Sequence, residues 1–317
     1  MSGPQDSEVA NTGKIASAAG ALPAENRRLG LILVVLAALA WSSGGLLLRS
    51  VDTDPWTTIF WRSLFAAVTL VLFIAIRDGR SAPRLFMAMG WSGILLGVCF
   101  ATASISFVVA VLYTSVANVL LLQSLAPFIA GIMGLIFMRE RVELRTWIAM
   151  AFAIGGVAIM VSNSFGTTSF IGTLFSMLIA LGFAGATVVL RYNRSVRMTP
   201  AACLATLLAG TFALIMGADP ASASMPEIGY LALLGVCQLA LGMILYTTGA
   251  RLIPAAESAL LANIEVVLGG FWVWLVFAED PGVRTLLGGG IILASLIGHS
   301  LVDLRRGGGK RVAPPAT

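Results

Sequence analysis

Charge is scarce in this sequence. Only 11% of its 317 residues are charged, whereas 58% are hydrophobic, and the mean hydropathy is +0.94. A water-soluble globular protein of this length needs much more polar surface to stay dispersed, so the composition excludes that class. Histidine occurs once, and the three cysteines fall inside apolar segments, where they behave as small hydrophobic residues. We therefore expect no metal centre and no disulfide framework.

The sequence also lacks the short motifs of ATP hydrolysis and of common hydrolases. The glycines before Lys310 do not have the spacing of the GxxxxGKS/T loop that cradles ATP phosphates, and neither HExxH nor GxSxG is present. An intramembrane enzyme would need several catalytic side chains at one depth, which a single histidine argues against. We expect no ATP, no cofactor and no enzymatic activity.

Long apolar runs make up most of the chain. A membrane-spanning helix needs ~20 mainly apolar residues, and residues 29–48 supply such a run without a charge. Similar runs follow without the alternating pattern of a membrane β-barrel, so we predict an all-α integral membrane protein with ten transmembrane helices. The predicted spans are residues 29–48, 55–76, 86–110, 116–138, 146–161, 170–190, 199–217, 228–250, 254–278 and 285–302.

The basic residues alternate between loops. With the N-terminus inside, all but three of the 20 lysine and arginine residues lie on cytoplasmic segments, the exceptions being Arg49, Arg62 and Arg284. This bias predicts that both termini are cytoplasmic, and it explains the net charge of +5 without nucleic-acid binding. Residues 1–28 are predicted to be a disordered cytoplasmic tail without a cleavable signal, and residues 303–317 a basic cytoplasmic tail.

Two parts of the sequence repeat each other. Residues 110–142 align without gaps on residues 249–281, and the first span aligns on the sixth. Because five spans separate the copies, the two halves would have opposite orientations in the membrane. We predict a first five-helix repeat over residues 29–161 and a second, inverted repeat over residues 162–302, a construction used by many secondary transporters. Aligned pairs include Gly30 with Gly172, Trp41 with Phe183, Leu48 with Leu190, Cys99 with Gln238 and Phe107 with Tyr246.

Short motifs stand out in four spans. They are AWSSGGLLLR in the first, FWRSLFAA in the second, LYTSVANVLLLQSLAPF followed by RERV in the fourth, and LLANIEVVLGGFWVWLVFAED in the ninth. These motifs resemble the ten-helix EamA-type branch of the drug/metabolite transporter superfamily. The Trp-Ser pair of the first span is similar to that of YddG-type amino-acid exporters of bacterial inner membranes.

The resemblance implies a central cavity lined by spans 1, 3, 4, 6, 8 and 9, with spans 2, 5, 7 and 10 outside. It also implies export of amino acids or similar small amphipathic metabolites by alternating access. One departure is visible, because Glu265 is followed by Val266 where such proteins often have proline. Val266 aligns with Pro127, so we expect a kink in span 4, a straighter span 9 and two gates of different stiffness.

Four ionisable residues fall within the predicted spans, where charge is expensive. Glu265 lies ~16 Å into the ninth helix and could bind a proton or a substrate ammonium group, or be a structural glutamate paired with arginine. Glu257 lies in the first turn of that helix, where the helix dipole stabilises a carboxylate, so we expect it to cap the helix or to take part in gating. Arg62 is predicted to be structural, and His299 to cap a helix end at the surface.

Polar and aromatic residues in the implied lining spans are candidate substrate contacts. Together they would form an apolar, aromatic cavity with a few amide and hydroxyl groups, which suits a neutral or zwitterionic cargo better than a polyanion. The candidates are Trp41, Ser42, Ser43, Phe107, Asn118, Gln123, Ser124, Phe183, Gln238, Tyr246 and Asn263.

Three functional classes compete on this reading. A secondary transporter explains the repeat and the topology together. A passive channel would need a continuous polar stripe, which the spans lack, and a helical scaffold gives no reason for a repeat. A lipid-modifying enzyme is disfavoured for the reason given above. The sequence leaves substrate, energy coupling and the choice between monomer and homodimer open.

Overall fold

The computed structural model describes residues 24–305, except residues 49, 115, 141, 163–168 and 278–281. Within this part of the chain the secondary structure is helical throughout. The α-helices are α1 Ala24–Ser42, α2 Gly44–Leu48, α3 Pro55–Asp78, α4 Ala82–Ala88, α5 Gly90–Tyr113, α6 Val116–Gln123, α7 Ala126–Met138, α8 Leu144–Val161, α9 Phe170–Tyr192, α10 Thr199–Ile215, α11 Met225–Leu233, α12 Leu241–Gly249, α13 Ala255–Ala262, α14 Ile264–Phe277 and α15 Gly282–Arg305. A π-helix, Leu234–Ala240, joins α11 to α12, and 3-10 turns lie at Gly79–Ser81, Pro220–Ser222 and Ala250–Leu252.

These helices form ten spans in the predicted order. In chain order the spans are α1 with α2, α3, α5, α6 with α7, α8, α9, α10, α11 with the π-helix and α12, α13 with α14, and α15. Eight of the spans are long and apolar enough to cross a membrane, and α8 and α10 are shorter apolar helices. The predicted all-α membrane fold is confirmed.

Helical structure extends beyond the predicted spans at both ends of the described chain. Helix α1 begins at Ala24, and Arg27 in its first two turns pairs with Glu257. At the other end, α15 continues to Arg305. The remaining predicted tail residues lie outside the described part of the chain.

Each span buries one face and presents an apolar face outward. In span 1, Leu31, Val34 and Ala38 are buried, whereas Ile32 and Leu36 between them are exposed. Exposed aliphatic side chains of this kind are stable against lipid and costly against water. The periodicity therefore places span 1 with its buried face toward spans 8 and 9 and its other face toward the bilayer.

The main helix pairs follow the repeat. Span 3 packs on span 6, and its counterpart, span 8, packs on span 1. Spans 2 and 7 pack on each other, as do spans 5 and 10. The predicted repeat makes span 1 equivalent to span 6, span 2 to span 7, span 3 to span 8 and span 5 to span 10. Each of these contacts in one half therefore has its equivalent among the observed contacts.

Two glycines show the same correspondence at the atomic level. A Cβ on Gly30 in span 1 would lie 2.8 Å from Leu252 Cβ, and a Cβ on Gly172 in span 6 would lie 2.6 Å from Thr114 Cβ. The alignment pairs Gly30 with Gly172, and it also aligns the segment around Thr114 with the segment around Leu252. The same close helix contact, which only glycine permits, is thus made once in each half.

Adjacent glycines in span 5 give a test of this packing. A Cβ on Gly156 would lie 2.7 Å from the carbonyl oxygen of Gly288 in span 10, whereas a Cβ on Gly155 meets nothing within 4 Å. We expect Gly156→Ala to lower the midpoint of thermal unfolding, because overpacking costs about 1–3 kcal/mol. Gly155→Ala should leave it unchanged or raise it, because alanine favours helix by about 1 kcal/mol. Equal midpoints for the two purified variants would contradict the contact between spans 5 and 10.

Candidate substrate site

Four aromatic rings from different spans meet inside the bundle. The ring centroid of Trp41 in span 1 lies 5.0 Å from that of Tyr246 in span 8 and 6.0 Å from that of Phe183 in span 6. Phe183 and Tyr246 are 5.2 Å apart, and Phe100 of span 3 adds edge contacts to both. We call these four residues the aromatic cluster. Such tilted and edge-on pairs favour association beyond the area that they bury.

Small residues and one hydrogen bond hold the aromatic cluster together. The indole of Trp41 lies directly on Gly242, where any Cβ would overlap it. The Thr187 hydroxyl donates to the Phe183 carbonyl oxygen at 2.8 Å, so the Tyr246 hydroxyl donates to Thr187 Oγ1, also at 2.8 Å. The phenol of Tyr246 is therefore fully buried with its polar atom paired, as burial requires.

Helix interruptions occur in four of the implied lining spans. Span 1 breaks at Ser43, span 4 at Ser124–Leu125, and span 9 at Asn263, and span 8 contains the π-helix. Irregular backbone at membrane depth is tolerated where it is buried in protein or lines a cavity, and transporters use broken helices at their binding sites. The breaks in spans 4 and 9 fall on aligned residues, so span 9 is interrupted despite having Val266 in place of proline. The different stiffness expected for the two gates stays a prediction.

Two amide side chains near these breaks contain buried atoms without a hydrogen-bond partner among the described residues. They are Oε1 of Gln238, in the π-helix, and Nδ2 of Asn263, at the break in span 9. An unpaired buried amide atom costs free energy, and such atoms in a membrane protein are candidate ligand contacts. The Gln238 side chain lies against Gly44 of span 1, as its aligned residue Cys99 lies against Gly185 of span 6.

Arg62 and Glu265 place opposite charges within the bundle. Arg62 Nη2 donates to Ser104 Oγ of span 3 at 2.8 Å, and span 8 packs on the Arg62 backbone, since a Cβ on Gly235 would lie 2.7 Å from the Arg62 carbonyl oxygen. Although Arg62 belongs to an outer span, its guanidinium therefore reaches span 3. Glu265, in the first turn of α14, makes no hydrogen bond or ion pair with Arg62 in the described structure, and Arg62 Nε has no hydrogen-bond partner there.

Ion pairs close one end of the bundle, which we call the basic end because most described arginines lie there. Arg27 of span 1 donates to both carboxylate oxygens of Glu257 in span 9, at 2.7 and 2.9 Å. Two further pairs link neighbouring segments, Glu140 with Arg191 and Asp78 with Arg197. The charge distribution predicts this end to be cytoplasmic.

The roles predicted for Glu257 and His299 need correction. Glu257 lies in the first turn of α13, but the helix is not capped by a side chain, and the carboxylate binds Arg27 instead. The side chain of His299 is only 5% exposed, so it is not a surface cap. Its Nε2 lies 2.9 Å from Thr146 Oγ1 of span 5, and its Nδ1 lies 4.0 Å from Glu257. Spans 1, 5, 9 and 10 therefore meet around Glu257.

Aligned residues are packed more tightly at the basic end than at the opposite end. Tyr246 and Leu190 are fully buried near the basic end, whereas their partners Phe107 and Leu48 are partly exposed and 43% exposed. Both halves contain the same helix pairs, so this difference reflects how closely the pairs approach at each end. These two aligned pairs are thus packed more tightly at the basic end than at the opposite end.

The other predicted site residues do not all gather around the aromatic cluster. Ser42 Oγ accepts from Trp272 Nε1 at 2.9 Å, but Ser43 and Ser124 donate to carbonyl oxygens of their own helices. Phe107 packs in a separate apolar cluster with Ala103 and Ile179. The rest lie along span 4, where Asn118 Nδ2 donates to Thr114 Oγ1, Gln123 is partly buried and Pro127 lies in the first turn of α7.

Several contact residues could not be identified from the sequence. Phe100 is one of many apolar residues in span 3, and Ser104 one of several serines. Thr187 had a weak signal, because it lies one helical turn beyond Phe183 and could approach the same neighbours. Trp272 lies among other aromatic residues in α14, so only the structure shows that its indole reaches span 1.

Comparison with known proteins gives consistent similarities. The model of the EamA-like transporter family matches residues 28–162 and again residues 170–301. The pseudopaline exporter CntI of Pseudomonas aeruginosa is 26% identical over 282 residues, which cover 86% of this chain and 95% of the exporter. An uncharacterized transporter of Archaeoglobus fulgidus is 25% identical, covering 85% of this chain and 96% of its own length. One crystal structure has a TM-score of 0.77 at 15% identity, covering 88% of this chain and 99% of the other, and shows the fold alone.

The pair between Arg27 and Glu257 gives a test of closure at the basic end. Removing Arg27 takes two charge-assisted hydrogen bonds from a buried carboxylate, each worth about 1.5–3 kcal/mol. We therefore expect Arg27→Met to lower the midpoint of thermal unfolding, whereas Arg28→Met, at the exposed neighbouring position, should not. The double variant Arg27→Met with Glu257→Met should recover part of the loss. Equal midpoints for Arg27→Met and Arg28→Met would show that the pair does not stabilise the bundle.

Proposed function

Because this chain belongs to the EamA-like transporter family, we propose that it is a secondary transporter that exports amino acids or similar small amphipathic metabolites. It is a transporter rather than an enzyme, as its family and the names of its relatives indicate. The outward direction is supported by the relative named as an exporter. The substrate class is inferred from the chemistry of the buried side chains.

The observation that carries the substrate class is the placement of Arg62 and Glu265. A zwitterion has a carboxylate and an ammonium group that need partners of opposite charge when water is removed. Arg62 has a buried Nε without a partner among the described residues, and Glu265 lies within electrostatic range but is not in contact with it. A small zwitterion bound between them would satisfy both charges, with its carboxylate on Arg62 and its ammonium group on Glu265.

The aromatic cluster and the amides supply the remaining contacts in this proposal. The rings of Trp41 and Phe183 offer apolar surface to a substrate side chain, and the unpaired amide atoms of Gln238 and Asn263 offer polar contacts that fix its orientation. Phosphorylated or polyanionic substrates are disfavoured, because Glu265 would repel them and Arg62 is a single cation.

Alternating access is supported by the packing of the two halves. Equivalent helix pairs occur in both halves, although two aligned residue pairs are packed more tightly at the basic end than at the opposite end. Rocking of one inverted repeat, residues 29–161, against the other, residues 162–302, would close the loose end and open the basic end. Glu265 is the candidate site for a coupling proton, and substrate-driven facilitated transport is the other coupling mode.

The charge distribution supports a location in a bacterial-type inner membrane with both termini in the cytoplasm. On this topology the ion pairs around Glu257 form the cytoplasmic gate. The partners in this proposal are the small-molecule substrate and the lipid bilayer, without ATP or nucleic acid, and the protein works as a monomer or a homodimer.

Transport by purified protein in liposomes tests the proposal. We expect zwitterionic amino acids with apolar side chains to move faster than through empty liposomes, whereas phosphorylated compounds should not. A carrier should also show counterflow, in which unlabelled substrate on one side accelerates movement of labelled substrate from the other. Movement without saturation or counterflow would instead indicate a passive channel, and an imposed pH gradient would distinguish proton coupling from facilitated transport.

Charge removal at Glu265 tests the substrate class. We expect Glu265→Gln to slow transport of zwitterions about tenfold or more, because one charge-assisted contact worth about 1.5–3 kcal/mol is lost. Any dependence on the pH gradient should be lost as well. Glu143→Gln, at a carboxylate that is 57% exposed, is the matched control and should transport normally. If Glu265→Gln reaches the membrane and transports like the control, Glu265 does not bind substrate or protons.

A further inference from the structure

A cleft at the basic end contains three arginines from three different segments. Arg77 lies at the end of span 2, Arg197 in the loop before span 7, and Arg251 just beyond α12 of span 8. None of the residues that line this cleft is among the candidate substrate contacts, so the cleft is distinct from the candidate substrate site. Its other lining residues are Met198, Thr199, Thr247 and Thr248.

Positive charge exceeds negative charge in this cleft. Asp78 pairs with Arg197, but among the described residues no carboxylate pairs with Arg77 or Arg251. The guanidinium of Arg251 is repelled by both Arg77 and Arg197, and its buried Nε has no hydrogen-bond partner in the described structure. Arg197 and Arg251 are partly buried and Arg77 is exposed, and all three line one cleft.

The N-terminus of span 7 opens into the same cleft without a capping side chain. Helix α10 starts at Thr199, and its N-cap residue, Met198, makes no side-chain cap hydrogen bond. Span 2, the counterpart in the first half, begins with Asp54, whose carboxylate accepts from the backbone N–H groups of Trp56 and Thr57. An anion in the cleft would supply for span 7 the negative charge that Asp54 supplies for span 2.

We propose that this cleft binds a phosphate group. A phosphate oxygen accepts hydrogen bonds from guanidinium groups, and the phosphate charge would offset both the excess of arginine and the positive end of the α10 dipole. On the predicted topology the cleft lies at the cytoplasmic membrane surface. The phosphate is therefore carried either by an anionic lipid of the inner leaflet or by a soluble cytosolic phosphate compound.

Ligand-induced stabilisation of the purified full-length protein tests this site. The protein in neutral detergent is titrated with phosphatidylglycerol, with phosphatidylcholine, and with inorganic phosphate at constant ionic strength, and the midpoint of thermal unfolding is followed. We expect phosphatidylglycerol, inorganic phosphate, or both to raise the midpoint of the wild-type protein. For Arg251→Gln, the ligand concentration that gives half of the maximal rise in the midpoint should increase at least about tenfold, because a charge-assisted contact is lost.

The matched control is Arg194→Gln, which removes the same charge at an exposed position of the loop that carries Arg197. It should respond like the wild-type protein. A response to both ligands would assign recognition to the phosphate group itself, and a response to phosphatidylglycerol alone would assign the lipid as its source. Arg77→Gln provides a second variant if Arg251→Gln does not fold. The proposal is overturned if the wild-type protein responds to neither ligand more than to phosphatidylcholine, or if the cleft variants respond like Arg194→Gln.

Discussion

Water is missing from the membrane interior, and the rest of this structure depends on that constraint. Every backbone N–H and carbonyl group at membrane depth must find a partner within the protein, which an unbroken helix provides. Breaks in such helices are therefore expensive unless something else uses the freed groups. Here the breaks in spans 4 and 9 fall on aligned residues, and the π-helix of span 8 carries Gln238 with its unpaired oxygen. Their clustering in the lining spans is what a site for a polar ligand requires.

The fold could be predicted from the sequence because its main signals are local. Ten apolar runs, alternating basic loops and a gapless alignment need no knowledge of which helices touch, and the predicted spans agree with the observed helices to within a few residues at most ends. Helix α1 begins before the predicted first span and includes Arg27, which looks like a tail residue in the sequence. Its partner, Glu257, lies 230 positions away, and no local pattern reveals such a pair.

The candidate site could be predicted only in part, for a related physical reason. The sequence identifies Trp41, Phe183 and Tyr246 as candidates because each is a large aromatic residue whose aligned position in the other half is also aromatic. The rotation of each helix about its own axis decides which neighbours a side chain contacts. That rotation cannot be predicted from a span in which nearly every residue is apolar. Arg62 illustrates the limit, since it belongs to an outer helix and only its hydrogen bond to Ser104 shows that it points inward.

Span 9 carries both Glu265 of the candidate site and the carboxylate of the basic-end ion pair. Glu257 lies on α13 and Glu265 on α14, ~12 Å apart along the helix axis, and the break at Asn263 separates them. Under the proposed function, a ligand that draws Glu265 toward Arg62 would act on α14, whereas the pair between Glu257 and Arg27 holds α13 against span 1. A change in the angle between α13 and α14 at Asn263 would then be the route by which occupancy of the site affects the ion pair at the basic end.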